Sequence, residues 1–380
     1  MKIADIKLHL SEIPLSIPYP STWNPGNPET KLFISMVEVI TDDGIHGYAA
    51  ACDSSQLLAG IWDSHIKPLV IGKEITQIEE ISTGLINAAQ YAYRPWIVEI
   101  AIWDCLGKYC DLPIYKLLGG AKDRVLAYAS TGSLKSTEER IEDMERFISE
   151  GFTMMKLRAH HDDPWEDLKV IEKVIAAANG RIQFGVDANQ AWFFTGKKSV
   201  AKWDLKKAIR FAHELEDLGV IWLEEPLHQF DYEGLAELRA STSISIAGGE
   251  INSHMHQFRD FIKYGCYDIY NTDPTFVGGF HVARKVTALI EAENKLLAPH
   301  TWTHGYGLAA SLQLAASTDC CPFIEYCYDP PAWEYTQRDV MLTEPIRVDS
   351  DGYITMSQKP GLGVDPNMEL IDRYSVLKLQ

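Results

Sequence analysis

Three short segments rich in β-forming residues each end abruptly in a carboxylate. Their acidic residues are Asp187, Glu224 and Glu250, which lie 37 and then 26 residues apart. A single acidic residue after a strand is usually solvated or caps a helix. Three in succession, at about the length of a strand, a helix and two loops, predict a repeated β/α unit with parallel strands. Such strands present their carboxyl ends at one rim of a barrel, where three carboxylates form a hard-oxygen site suited to Mg²⁺.

Further strand-like segments extend this repeat to eight. They alternate with amphipathic helical stretches such as residues 137–150, 166–178 and 205–218. The strand ends recur at intervals of about 23 to 37 residues, which favours a closed (β/α) barrel over an open sheet. The predicted strands span residues 125–130, 153–157, 182–186, 221–223, 243–247, 268–270, 296–298 and 322–324.

The residues before the repeat predict a separate α+β unit. Strands are expected at 32–40 and 45–51, and a helix at 96–108 has apolar residues around most of its circumference, as a buried helix does. Residues 16–29 are rich in proline and glycine, and we expect either a plain connection or a lid there. The tail contains no further repeat. The predicted domains are an N-terminal α+β capping domain (1–122), a barrel catalytic domain (123–350) and a C-terminal return that packs on the capping domain (351–380).

The composition excludes several classes of protein. A formal net charge of −18 argues against nucleic-acid binding, because contact with phosphates requires a basic face. No apolar run approaches the roughly 18 residues of a membrane span, and residues 1–8 alternate as a strand does, unlike a signal peptide. The seven cysteines are scattered and lack CxxC spacing, as is typical of reduced thiols. We therefore expect a cytoplasmic protein that binds neither nucleic acid nor membrane, in which a metal supplies the cation that an anionic substrate needs.

Almost every residue that follows a predicted strand is ionisable or polar. A barrel with a purely structural role has no reason to aim so much charge at one rim, because unpaired like charges repel. A binding site that uses the charge explains the pattern. The strand-end residues are Lys156, Arg158, Asp187, Asn189, Glu224, Glu225, Glu250, Asp273, His300 and Glu325.

In combination, these motifs resemble the enolase superfamily and, within it, the mandelate racemase subgroup. Asp273 precedes Val-Gly-Gly at 277–279, and His300 lies in Pro-His-Thr-Trp at 299–302. The resemblance covers almost the whole chain and implies a modified (β/α)8 TIM barrel, (β/α)7β, with an N-terminal α+β capping domain completed by the C-terminal tail. It also implies Mg²⁺ ligands at Asp187, Glu224 and Glu250, a dyad of Asp273 and His300, and an acid at Glu325.

A histidine–aspartate dyad beside a metal suits the removal of a proton α to a carboxylate. This reaction creates an enediolate, so stabilisation must be aimed at the new negative charge, which a metal provides as a Lewis acid. His300 is the expected base, and Asp273 would fix its tautomer and raise its basicity. Taken alone, His300 would fit a core histidine better, but Asp273 in the matching position favours the dyad.

The second barrel strand departs from the pattern of the subgroup. Racemases of this kind carry Lys-x-Lys there, and the second lysine is the base on the opposite face of the substrate. Here the pair is Lys156 and Arg158. Arginine stays protonated at any working pH, so Arg158 is a poor base but a good partner for a substrate carboxylate or the enediolate. Lys156 remains an alternative second base.

Several polar and aromatic residues in predicted loops are candidates for substrate binding. Trp23 and Asn24 would suit a lid over a polyol, although packing explains them equally well. His160 lies in a polar run after the second strand that more often binds substrate or solvent than a metal. We assign substrate binding to Trp23, Asn24, Asn189, His160 and Trp302.

We expect a Mg²⁺-dependent dehydratase that converts a sugar acid, an aldonate or aldarate, to a 2-keto-3-deoxy acid. The alternative is a racemase, epimerase or lactone cycloisomerase that uses the same metal and dyad. A third alternative is a non-catalytic barrel, and the complete set of predicted metal ligands argues against it. The partner is a small-molecule carboxylate, and analogy with the family implies a homo-oligomer.

Overall fold

The N-terminal part of the chain forms an antiparallel sheet with helices packed against it. The computed structural model describes residues 1–52, 55–91, 94–192 and 202–379. The elements of this part are β1 (Ile3–Tyr19), β2 (Glu29–Thr41), β3 (His46–Cys52), α1 (Ser55–Ile61), a π-helical turn (Trp62–Ile66), α2 (Lys67–Val70), α3 (Ile78–Ala88), α4 (Ile97–Tyr109) and α5 (Ile114–Leu117).

Helix α4 packs directly onto this sheet at a glycine. A Cβ on Gly47 would lie 2.6 Å from Sγ of Cys105, so only glycine allows the helix this close. Strand β1 is longer than predicted, because it continues through residues 16–18 to Tyr19. Its ladder with β2 is interrupted between Pro14 and Tyr19, where prolines lack the amide hydrogens that pairing requires.

The barrel begins at residue 124, and its strands alternate with helices. All eight predicted strands are present within three residues of the expected bounds. Its elements are β4 (Arg124–Ser130), α6 (Thr137–Ser149), β5 (Met154–Arg158), α7 (Pro164–Ala178), β6 (Gln183–Asp187), α8 (Leu205–Asp217), β7 (Trp222–Glu224), α9 (Tyr232–Ala240), β8 (Ser245–Gly248), α10 (His254–Tyr264), β9 (Ile269–Tyr270), α11 (Pro274–Val277), α12 (Gly279–Ala292), β10 (Leu296–Leu297), α13 (His304–Ala316) and β11 (Phe323–Cys327).

The barrel strands are parallel and nearly closed. They are paired in the order β10-β9-β8-β7-β6-β5-β4-β11, and the amide of Leu297 donates to the carbonyl of Cys320 at 2.9 Å across the remaining seam. The fold is thus the expected modified (β/α)8 barrel with an N-terminal α+β cap. Within the described ranges, no helix is long and apolar enough to cross a membrane.

The C-terminal segment returns to both parts of the molecule. The strand β12 pairs antiparallel with β4 of the barrel, whereas β13 pairs with β1 and extends the N-terminal sheet. Ser11 also donates its hydroxyl to the carbonyl of Ile371 in α15. We keep the division at residues 122 and 350 as a proposal. The remaining elements are α14 (Tyr335–Arg338), β12 (Tyr353–Thr355), α15 (Met368–Arg373) and β13 (Ser375–Leu379).

The barrel interior has an apolar lower layer and a polar upper layer. Successive inward-facing residues are two positions apart along a strand, so one strand can contribute a residue to each of the two layers. On β7, for example, Trp222 packs in the lower layer and Glu224 lies above it. The indole of Trp222 fills the space beside Gly185, where a Cβ would overlap the ring. The lower layer is a packed floor made by Tyr128, Met154, Trp222, Ala247, Ile269 and Ala298.

A buried carboxylate joins the N-terminal helices to the barrel. Glu99 on α4 accepts hydrogen bonds from the backbone amides of Phe280 and His281, at 2.9 and 3.0 Å, in the first turn of α12. The indole nitrogen of Trp103 donates to it as well, at 2.7 Å. Burial outweighs these three donors and raises the pKa of Glu99 to about 7.

The floor of the barrel yields a stability prediction. Gly185→Ala should destabilise the protein by about 1–3 kcal/mol, the usual cost of overpacking, because its methyl group must displace the Trp222 indole. Urea unfolding measures the change. Gly60→Ala is the control, since that exposed helical glycine has no atom within 4 Å of the added methyl. Equal stability of Gly185→Ala and the wild type would contradict the described packing.

The Glu99 contact predicts a pH-dependent stability. Its pKa is raised on folding, so its contribution is complete below the unfolded value and is lost as pH rises through the folded value of about 7. The stability of the wild type relative to Glu99→Gln should therefore fall by up to roughly 3 kcal/mol between about pH 4.5 and 7. Chemical unfolding of both proteins across this range measures the difference. A constant difference would show that Glu99 titrates normally.

Candidate active site

Three carboxylates converge at the carboxyl ends of neighbouring barrel strands. Asp187 ends β6, Glu224 ends β7, and Glu250 follows β8 after Gly249, whose φ of +99° turns the chain towards the barrel axis. Each offers one oxygen, and these oxygens lie within 4.8 Å of one another. The sequence prediction that these three acids form one cluster is confirmed.

The electrostatics of this cluster fit a bound divalent cation. Burial, together with the neighbouring carboxylates, raises the pKa of Glu224 to about 8 and also raises that of Glu250. Glu225 is buried beside them, and in the described part of the chain neither of its carboxylate oxygens has a hydrogen-bond partner. Burying uncompensated carboxylates is costly, and a cation among them offsets the cost. An all-oxygen donor set is the kind that Mg²⁺ prefers.

Lys156 lies beneath these carboxylates as a fixed cation. Its Nζ is 2.6 Å from Glu224, 2.8 Å from Glu325 and 3.4 Å from Asp187. Burial alone would lower the pKa of this ammonium group, but the surrounding carboxylates outweigh burial and raise it well above its ordinary value. The arrangement favours charge neutralisation over the alternative role of Lys156 as a base.

Arg158 is held from several sides at the end of β5. Its Nε donates to the carbonyl of Thr131 at 2.5 Å, and its Nη1 donates to Oδ1 of Asn189 at 2.9 Å and to the carboxylate of Asp187. The Trp23 and Trp302 rings cover the guanidinium, with centroids 5.6 and 5.9 Å away. A permanent cation thus occupies the position of the second lysine of the racemases.

The dyad predicted from the sequence is formed. The Nδ1–H of His300 donates to Oδ2 of Asp273 at 3.0 Å, which leaves Nε2 facing the metal cluster, 4.0 Å from Glu250. The other Asp273 oxygen accepts from the amide and hydroxyl of Thr275, each at 2.7 Å. Burial opposes the charging of His300, but Glu250 and Asp273 outweigh it and raise its pKa to about 9. Phe276 packs against the imidazole with ring centroids 5.4 Å apart and so restricts its orientation.

Glu325, the predicted acid at the end of the eighth strand, is part of the same network. Besides Lys156, it accepts from the Ser130 hydroxyl at 2.6 Å and from the amide of Thr301 at 2.8 Å. Burial would raise its pKa, yet Lys156 and His300 lower it to about 2. These cations therefore favour the ionised form of Glu325.

The predicted substrate-binding residues fall into two groups. Trp23, Asn189 and Trp302 meet around Arg158, where Asn189 accepts from Arg158 and also from the hydroxyl of Thr22. Trp302 donates to Ser130 at 3.1 Å.

His160 and Asn24 make up the second group. The Nδ1 of His160 lies 3.0 Å from the carbonyl of Ala188, the residue after the candidate metal ligand Asp187. Asn24 is half-buried, and its side-chain Oδ1 has no hydrogen-bond partner among the described residues. Direct contact of these five residues with substrate stays a prediction.

Three further residues at the site were not predicted from the sequence. Trp192 donates its indole N–H to Oε1 of the metal-cluster residue Glu250 at 3.1 Å. Thr22 links the capping loop, residues 20–28 between β1 and β2, to Asn189, and Ser130 joins Trp302 to Glu325. Trp192 is one of ten tryptophans. The sequence feature that could have identified it is its position two residues after Gln190, in the loop that follows the strand ending in the predicted metal ligand Asp187.

Two family models match the two parts of the chain. Residues 26–119 match the mandelate racemase / muconate lactonizing enzyme N-terminal domain, and residues 139–370 match the enolase C-terminal domain-like family. The chain belongs to the enolase superfamily. The resemblance inferred from the strand-end residues is confirmed, and the chain is an enzyme of this superfamily.

Similar proteins within the superfamily differ in the reactions for which they are named. The chain is 27% identical to D-galactarolactone cycloisomerase of Agrobacterium fabrum, over 98% of this chain and 99% of the relative. It is 26% identical to L-talarate/galactarate dehydratase of Salmonella typhimurium, over 95% and 88% of the two chains. A racemase from Streptomyces coelicolor, solved with bound magnesium, superposes with a TM-score of 0.85 at 25% identity, over 98% of this chain and 100% of that one.

The metal cluster leads to a prediction about ligand binding. Glu250→Gln should abolish the thermal stabilisation that Mg²⁺ gives the wild type, because one of three anionic ligands is lost. Without metal, the variant should melt no lower than the wild type, since it carries one buried charge fewer. Thermal melts with and without Mg²⁺ measure both effects. Glu233→Gln, an exposed site on α9, is the control, and an unchanged Mg²⁺ shift in Glu250→Gln would exclude Glu250 as a ligand.

Proposed function

We propose that this enzyme removes the proton α to the carboxylate of an acid sugar and eliminates the β-hydroxyl as water, which yields a 2-keto-3-deoxy acid. The observation that carries the proposal is the asymmetry of the site. The dyad of His300 and Asp273 provides a base on one side, whereas the end of β5 carries Arg158, which cannot accept a proton.

One base suffices for this elimination. In its neutral form, which a cation bound beside Glu250 would favour, His300 takes the α-proton through Nε2, and Asp273 stabilises the resulting imidazolium through Nδ1–H. The electrons of the broken C–H bond first pass onto the carboxylate as an enediolate, and they then form the C=C bond between the α- and β-carbons as the C–O bond to the β-hydroxyl breaks. The imidazolium returns its proton to the departing oxygen, which leaves as water. The enol product then tautomerises to the 2-keto acid.

The other rim residues manage the negative charge that develops on the substrate. Mg²⁺ held by Asp187, Glu224 and Glu250 would supply Lewis-acid stabilisation of the enediolate. The ammonium group of Lys156 offsets the negative charge of the carboxylates around it, so that an anionic substrate can bind beside them. Arg158 places a second positive charge on the face opposite His300. The racemase with bound magnesium supports the choice of metal.

The relatives support a sugar acid as substrate. The L-talarate/galactarate dehydratase and the D-galactarolactone cycloisomerase, which match nearly the whole chain, are both named for derivatives of galactaric acid or its isomers. The cycloisomerase favours a second candidate function, in which the same dyad and metal isomerise a lactone or epimerise the α-carbon. The fixed ammonium of Lys156 and the guanidinium of Arg158 weigh against two-base epimerisation.

The dyad predicts the outcome of a substrate screen. With Mg²⁺ and a panel of aldonates and aldarates, the enzyme should form a 2-keto product that a carbonyl assay detects. His300→Asn should lower this activity roughly 100-fold or more, as expected for loss of a positioned base. His256→Asn, at an exposed helix position, is the matched control. Full activity in His300→Asn would exclude His300 as the base.

The absence of a base at Arg158 predicts one-sided chemistry. In D₂O, wild-type enzyme should produce the 2-keto-3-deoxy acid without accumulating the α-epimer of the substrate. Arg158→Lys should lower turnover, because lysine cannot keep both the Thr131 and Asn189 contacts of the planar guanidinium. NMR of the recovered substrate measures inversion and exchange. Inversion at a rate that equals or exceeds elimination would replace the dehydratase by the isomerase.

A further inference from the structure

The first barrel loop meets the capping loop at a glycine. The amide of Thr22 donates to the carbonyl of Gly132 at 2.9 Å, which joins the capping loop to the loop after β4. A Cβ on Gly132 would overlap the hydroxyl oxygen of Tyr19 and would lie 2.7 Å from Trp302 and 2.9 Å from Trp23. The backbone of Gly132 is outside the left-handed region, so the requirement for glycine is one of space and not of conformation.

Tyr19 is the centre of the ring cluster that closes on Gly132. It is the last residue of β1, is 1% exposed, and leads directly into the capping loop. Its ring stacks on Trp302 at 5.7 Å and 17°, and it contacts Trp23 at 6.1 Å and Trp333 at 5.1 Å. Trp23 and Trp302, whose rings cover Arg158, are therefore both packed against Tyr19.

One buried carboxylate holds Tyr19 and Gly132 together. Oδ2 of Asp329 accepts from the Tyr19 hydroxyl at 3.0 Å, the Gly132 amide at 3.1 Å and the Ser133 amide at 2.8 Å. Its other oxygen accepts from Arg140 at 3.1 Å. Burial would raise the pKa of Asp329, but Arg140 and the neighbouring Lys135 lower it to about 2, so the acceptor stays charged.

We propose that Tyr19, Gly132 and Asp329 are positioning residues that dock the capping loop on the barrel and so set the place of Trp23 over Arg158. None of the three has a contact with the metal cluster or the dyad among the interactions described. They act through Thr22 and the indoles, which contact Asn189 and Arg158. These contacts of Tyr19, Gly132 and Asp329, called the dock below, deepen the proposed function because they fix the wall of the site that faces His300. The effect of the dock on catalysis rests on that function, whereas its effect on the loop does not.

Hydrogen exchange of the capping loop tests the dock without any substrate. Gly132→Ala should raise amide exchange of Thr22 and its neighbours by roughly five- to tenfold, about what the loss of one hydrogen bond allows. Tyr19→Phe keeps the ring but removes the bond to Asp329, and should raise exchange in the same peptide. Gly60→Ala is the control, because its added methyl has open space. Exchange in a peptide of the barrel floor, around Trp222, should stay unchanged in all three.

The double variant separates docking from general destabilisation. Tyr19→Phe removes the atom nearest to the new methyl group, so Gly132→Ala/Tyr19→Phe should be less perturbed than the product of the two single effects. The proposal is overturned if the two substitutions raise loop exchange by independent factors that simply multiply in the double variant. It is also overturned if exchange rises equally in the barrel floor, or if loop exchange in Gly132→Ala equals that of the wild type. If Gly132→Ala does not fold, unchanged loop exchange in Tyr19→Phe overturns it.

A kinetic readout links the dock to catalysis. With a substrate from the screen, Gly132→Ala should raise KM by more than it lowers kcat, because the base, metal ligands and Lys156 are untouched. A loss confined to kcat would contradict a positioning role. If no acid sugar is turned over by the wild type, the proposed function fails while the exchange data still decide the dock.

Discussion

The balance of buried charge at one rim of the barrel is the constraint on which the rest of the structure depends. Six carboxylates are buried there with two permanent cations and one histidine, and none of these groups is exposed enough for water to compensate it. Lys156 contacts Asp187, Glu224 and Glu325, and Arg158 also contacts Asp187. The carboxylates are Asp187, Glu224, Glu225, Glu250, Asp273 and Glu325.

This balance of charge explains why the pKa values of two glutamates at strand ends of the same barrel are shifted in opposite directions. Glu325 is beside Lys156 and has a pKa near 2, whereas Glu224, which is also beside Lys156, has a pKa near 8. The difference comes from the remaining neighbours. Glu325 also faces His300 and accepts a hydrogen bond from Ser130, whereas Glu224 faces the other metal-cluster acids. Excess negative charge is thus concentrated at the three residues where a divalent cation would bind.

The N-terminal sheet and the barrel are tied together on two sides of this rim. On one side, Glu99 caps the start of α12, whose preceding turn carries Asp273 and Phe276 of the dyad region. On the other, Tyr19 and Thr22 connect the end of β1 to Asp329, Gly132 and Asn189. The surroundings of His300 and of Arg158 are therefore each supported by contacts between the N-terminal part of the chain and the barrel.

The resemblance to the superfamily implied the pairing of Asp273 with His300. The sequence by itself determined the repeated β/α unit and the identity of the strand-end acids. Parallel strands of a barrel end at one rim, and alternation along a strand fixes which residues point inward, so linear spacing is sufficient for these features. Tertiary structure alone decided which inward-facing groups touch. The three partners of Lys156, the approach of Trp192 to Glu250, and the meeting of Tyr19, Gly132 and Asp329 join residues up to 310 positions apart. Such contacts depend on barrel closure and loop paths, which no local pattern in the chain encodes.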